Sequence, residues 1–164
     1  MSKSWMPLVA FAFVGCAGIP GPNSVHTGET EAQVRAQLGA PAAERKLASG
    51  ETAWYYVTGP SSFFTWRVVF GASGTATEYA QVLNASNFEW VRQAATREAV
   101  LDHIGPPMER MSFARTSTEV WTYRWQDGTL EMIADAVFDA QRGDVRYVAI
   151  YRDPAYSSGV NTSP

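Results

Sequence analysis

A single cysteine, Cys16, excludes an intrachain disulfide and a cysteine-cluster metal site. Histidine is almost as scarce, with only His26 and His103. Positive charge is short as well: 13 Lys and Arg against 16 Asp and Glu leave a net charge of −3. No basic run is present to neutralise a phosphate backbone, which argues against nucleic-acid binding. Apolar runs long enough to span a bilayer as a helix are missing. Aromatics are plentiful: six Trp, seven Tyr and eight Phe in 164 residues point to a β-rich core or an aromatic binding face. At 46% hydrophobic and 18% charged, the chain has the composition of a globular protein.

Residues 1–15 combine one early positive charge, Lys3, with the apolar run from Trp5 to Val14 and a small residue, Gly15, ahead of Cys16. That is the layout of a secretory signal peptide. Phe13-Val14-Gly15-Cys16 resembles the lipobox of bacterial lipoproteins, with Phe13 where leucine is usual. The resemblance implies lipidation of Cys16 and, because Ala17 is not the aspartate associated with inner-membrane retention, an outer-membrane destination facing the periplasm. An ordinary signal peptide or an apolar N-terminal helix is the alternative. Residues 16–29, rich in Gly and Pro and without apolar periodicity, read as the lipidated cysteine and its tether.

Beyond the tether the chain repeats itself. Thr30, Val34, Leu38, Gly39 and Pro41 recur as Thr96, Val100, Ile104, Gly105 and Pro107, all at an offset of 66 residues. Each copy describes a short helix. The threonine caps its start, with Gln33 completing a capping box in the first copy; the two aliphatics four apart share one face; Gly and Pro end it. Trp54-Tyr55-Tyr56 is answered by Trp121-Thr122-Tyr123, Val69-Phe70 by Val137-Phe138, and Gly74 by Gly143.

Strands are expected at 43–47, 52–58, 64–70 and 75–83 in the first copy, and at 120–126 and 144–152 in the second. Asp127-Gly128 is a hairpin signal. Residues 130–141 have the composition of an amphipathic helix, whereas the repeat requires a strand, and the repeat is followed. The expected organisation is α+β, with helix-plus-antiparallel-meander units at 30–84 and 88–152 and a flexible tail at 153–164.

The order Thr-x-x-x-Val-x-x-x-Leu-Gly-x-Pro, Trp-x-Tyr, then Val-Phe before a Gly turn, behind a lipobox, resembles the BamE-like (SmpA/OmlA) outer-membrane lipoproteins. The second copy departs from single-domain members and is similar in architecture to the β-lactamase inhibitor proteins. The resemblance implies a non-enzymatic adaptor in outer-membrane assembly or envelope maintenance, possessing neither cofactor nor metal, whose partner is another envelope protein such as the β-barrel assembly machinery. The other reading is an inhibitor or sensor that binds an enzyme or cell-wall ligand through its sheets.

The residues by themselves offer little chemistry. His103, beside Asp102, reads as a solvated helix residue, and Asp135 with Asp139 as a solvated pair. Trp54, Tyr56, Trp66, Trp121, Tyr123 and Trp125 alternate as a core face. The opposite face, carrying Tyr55, Val57, Arg67, Val69, Thr122 and Arg124, is expected to be free, and Tyr55, Arg67 and Arg124 are candidate partner-binding residues. Phe63, after the Gly-Pro break at 59–60, is either a fourth such residue or a lid on the core.

Overall fold

Two threonines start two similar helices. In Glu31–Leu38 (α1), Thr30 Oγ1 accepts the Gln33 N–H at 3.3 Å while Gln33 Oε1 accepts the Thr30 N–H at 2.8 Å, closing the capping box. In Arg97–Ile104 (α3), Thr96 Oγ1 accepts the Ala99 N–H at 3.1 Å. Both helices end on glycine: φ and ψ are 78° and −158° at Gly39, 82° and −168° at Gly105. The expected left-handed turn is thus replaced by positive φ with extended ψ, a region essentially restricted to glycine, which sends the chain onward to its sheet.

The computed structural model describes residues 18–58, 63–94 and 96–156. Residues 1–17, with the expected signal peptide and lipidated Cys16, the Gly-Pro break at 59–62 and residues from 157 lie outside the described residues; of the tail expected at 153–164, the described start is docked, with Asp153 buried on Arg124 and Tyr156 against Phe63. The fold is α+β, with three α-helices and two antiparallel four-stranded sheets among the described residues. Strands Ala43–Lys46 (β1), Thr52–Val57 (β2), Thr65–Phe70 (β3) and Ala76–Gln81 (β4) form one sheet in chain order. Glu109–Phe113 (β5), Thr118–Asp127 (β6), Leu130–Asp139 (β7) and Val145–Arg152 (β8) form the other, also in chain order. Residues 130–139 are therefore strand, paired with β6 from Asp127↔Leu130 to Thr118↔Asp139. A third helix, Ala85–Val91 (α2), was not anticipated; Asn84 caps it through the Asn87 N–H at 3.0 Å.

The molecule is layered. Helix α1 buries Val34 and Leu38 against Trp54, Tyr56, Trp66, Val68 and Phe70 of the first sheet. Helices α2 and α3 bury Phe88, Val91, Val100 and Ile104 against Trp121, Tyr123, Trp125 and Phe138 of the second. Each such aliphatic or Phe contributes roughly 1.5–3 kcal/mol. The core faces are those that the alternation of aromatics implied.

Residues 18–29 are not a free spacer. The Gly18 N–H donates to the Gln37 carbonyl at 2.7 Å, Tyr79 Oη donates to the Gly21 carbonyl at 2.8 Å, and Val25 is buried in the first core. Ala76 also ties this segment to the first sheet, its carbonyl accepting the Gly28 N–H at 2.8 Å and its N–H donating to the Glu29 carbonyl at 2.7 Å. Glycine and proline content marks irregular backbone, and irregular backbone can still be docked.

Asp139 is buried rather than solvated. Asp139 ends β7 opposite Thr118, and there it accepts the N–H groups of Gln141 (3.0 Å) and Arg142 (2.9 Å) from the turn that follows and the Arg146 guanidinium (2.8 Å). The Arg142 N–H first, then Arg146, holds its carboxyl far below the ordinary value. Such a group stabilises the fold above the unfolded aspartate pKa of about 3.9 and loses that contribution as pH falls below it. Asp139→Asn is expected to melt several degrees lower at pH 7, with the gap narrowing progressively as pH falls below about 4 and still part open at about pH 2. Thermal melts followed by circular dichroism across that range check it; a gap independent of pH would count against the assignment.

Candidate functional site

The outward faces of the two sheets differ. On the first sheet, Ala43, Ala53, Tyr55, Arg67 and Val69 share the face opposite α1, and this face was expected to be free. It is covered by α3. Tyr55 is fully buried: its hydroxyl donates to the Asp102 carbonyl at 2.6 Å, and its ring lies against Gly105. Burial pushes the Tyr55 hydroxyl up to about 12, so it stays a neutral donor. Arg67 donates to the His103 carbonyl at 2.9 Å and pairs with Glu78 at 2.6 Å, while Arg45 pairs with Asp102. Tyr55 and Arg67 therefore satisfy the carbonyls at the C-terminal end of a helix from the same chain. Sequence composition identified them as anchors and could not show that what they hold is the chain's own second half.

Arg124 is engaged internally too. Its guanidinium pairs with buried Asp153 at 2.7 Å, and the rings of Phe63 and Tyr156 lie 6.0 and 5.7 Å from it. Phe63 meets Tyr156 edge-on at 5.8 Å, so it is neither a solvent-facing anchor nor a lid on the first core. It ties the β2–β3 connection to the chain beyond β8. Val69 is buried, whereas Val57 and Thr122 keep partial exposure.

What remains partly open is the outer face of the second sheet: the large outward side chains of its edge strands β5 and β8 are exposed, while Ile133 and Val137 on β7 are buried between them. Registers place Met111, Val120, Val137 and Tyr147 in one row across all four strands, Glu109, Thr122, Asp135 and Ala149 in the next, and Arg124, Ile133 and Tyr151 in a third. Met111, Phe113, Tyr147 and Tyr151 are 45%, 43%, 56% and 41% exposed. A solvated antiparallel face ordinarily carries polar side chains. Asp135 accepts from Thr122 Oγ1 and Tyr151 Oη, each at 2.7 Å. Burial first, then that hydrogen bond, pushes Tyr151 up to about 12. None of these residues except Arg124 was singled out for binding from sequence, Thr122 being expected only on the free face; the signal available was the alternation of Tyr147, Ala149 and Tyr151 on an edge strand.

A second feature is a shallow hollow of about 300 Å³ lined by Leu47, Ala48, Trp90, Ala99, Asp102 and His103. His103 is half-buried rather than solvated, stacked on Trp90 at 4.0 Å and hydrogen-bonded to Asn87 at 3.1 Å. Burial, with Arg67 second, lowers its pKa and favours the neutral ring. Among the described residues no three His, Cys, Asp or Glu side chains come together as a metal site, and no helix is long and apolar enough to cross a membrane. Comparison with protein families, curated proteins and solved structures gives no match to this chain.

Proposed function

We propose that this chain is a periplasmic lipoprotein, anchored to the outer membrane through an acylated Cys16, that works by protein contact as an adaptor in envelope assembly or maintenance. The observation that carries the contact role is the open face bearing Met111, Phe113, Tyr147 and Tyr151. Large apolar side chains grouped on an uncovered sheet are the composition of a protein-binding surface. The anchoring role is supported by the lipobox-like Phe13-Val14-Gly15-Cys16. The kinship with BamE-like lipoproteins, in tandem form, is supported by two capped helices and two sheets of identical strand order. Inhibition or sensing is the second reading, favoured by the hollow at Trp90 and His103.

Metabolic labelling with palmitate tests the anchor. The wild-type chain should incorporate label and fractionate with membranes, and Cys16→Ser should do neither. Equal fractionation of the two forms would overturn the anchor. For the contact role, a photo-crosslinking amino acid at position 147 should trap a stoichiometric protein partner in the native cell; the same probe at exposed Ser49, in the β1–β2 turn, should not. Identical labelling at both positions would overturn it.

A further inference from the structure

We infer that the open face of the second sheet docks a basic, apolar segment of a partner protein, one that sets Lys or Arg side chains beside aliphatic or aromatic residues. The inference rests on the contact role proposed above and adds the chemistry of the partner.

The row Met111–Val120–Val137–Tyr147 is apolar across four strands, with Met111 and Tyr147 exposed at its ends, Val120 half-buried and Val137 buried between them. Beside it, Glu109 and Asp135 flank Thr122 in a single register row, which sets their Cα atoms roughly 10 Å apart. Glu131, opposite Gln126, stands at the same outward register as Asp135. None of these three carboxylates has an ion-pair partner among the described residues. Of the cations near the face, Arg124 is committed to Asp153 at 2.7 Å and Arg146 to Asp139 at 2.8 Å, while Arg115, in the turn after β5, has no ion pair among the described residues and offsets one of the three carboxylates at most. Arg110, over the Trp121 ring, and Arg152, opposite Met132, occupy registers of the other face. The open face is therefore apolar with an uncompensated negative charge.

That charge decides among occupants. A second copy docked face to face would set carboxylates against carboxylates, and anionic lipid headgroups would be repelled. A basic segment meets both halves of the surface. Its aliphatic stems lie along Met111 and Val120, its charged heads reach Glu109, Glu131 and Asp135, and the Tyr147 and Tyr151 rings offer cation–π faces. Asp135 keeps lone-pair sites beyond the two that Thr122 and Tyr151 occupy.

The test uses the full chain against arrayed 15-residue peptides of matched mean hydropathy that differ in charge. Wild type should retain basic apolar peptides at least tenfold better than acidic ones. The triple variant Glu109→Gln, Glu131→Gln, Asp135→Asn should lose that preference while keeping its circular dichroism spectrum, and Tyr147→Glu, in the apolar row, should lose binding. Retention independent of peptide charge, or an unchanged preference in the triple variant, would overturn the inference. So would a sedimenting dimer that Tyr147→Glu dissolves, because the occupant would then be a second copy. A cross-link from position 147 to a neutral or acidic segment would overturn the basic partner and leave the adaptor reading standing; no cross-link at all would overturn both.

Discussion

Tyr55→Ala should lower the unfolding free energy by about 3–5 kcal/mol, the range for truncating a buried aromatic. The ring is fully buried between the first sheet and α3, and its loss removes the floor on which Gly105 and the Asp102 carbonyl rest. Tyr55→Phe keeps the ring and gives up only the bond to the Asp102 carbonyl, which Arg67 also approaches at 3.4 Å, so about 1 kcal/mol is expected. Urea unfolding followed by tryptophan fluorescence measures both. A loss below about 1 kcal/mol for the alanine variant would mean that Tyr55 is a surface residue after all.

Gly105→Ala attacks the same contact from the other side. An added Cβ would lie 2.6 Å from Tyr55 Cδ1 and 3.0 Å from Cγ, and both ring atoms are fixed by burial. The backbone there, at φ 82°, strains any other residue by about 1–3 kcal/mol, and overpacking adds about 1–3 more. A loss of at least about 3 kcal/mol is expected. Gly50, at φ 89° with open space around its Cβ position, isolates the backbone share: Gly50→Ala should cost about 1–2 kcal/mol. Because the clash needs the ring, Tyr55→Ala combined with Gly105→Ala should destabilise by about 1–2 kcal/mol less than the two singles added. Strict additivity would show that residue 105 and the ring are not in contact.

Local grammar was largely legible. Thr30 and Thr96 cap, Gly39 and Gly105 terminate, and the alternation of Trp54, Tyr56, Trp66, Trp121, Tyr123 and Trp125 marks the buried faces, because each feature depends on neighbours a few residues away. What covers the opposite faces depends on how distant elements meet. Period-2 alternation says that Tyr55 and Arg67 share a side; it cannot say that α3, some 40 residues onward, will lie on it. His103 misled for the same reason, since Trp90 belongs to a helix whose short apolar pattern, Phe88 and Val91, raises little signal. Asp139 changed role because the β7–β8 turn aims the Gln141 and Arg142 N–H groups and the Arg146 guanidinium at it, contacts that strand alternation does not announce. At the candidate site, Tyr147 and Tyr151 were visible as alternating residues, but their exposure follows from β8 being the last strand of the outermost layer.

The hydrogen bond from the Gly18 N–H to the Gln37 carbonyl, with Val25 sunk in the first core, also sets a length. Cys16 precedes Gly18 by two residues, and two Cα steps span at most about 7.6 Å. A fatty-acid anchor at Cys16 would therefore be a leash shorter than the diameter of one helix, about 10 Å. Such a body would not swing through the periplasm like a float on a line. It would be held close to the bilayer, so that encounters with a membrane-held partner become a search in two dimensions at a raised effective concentration.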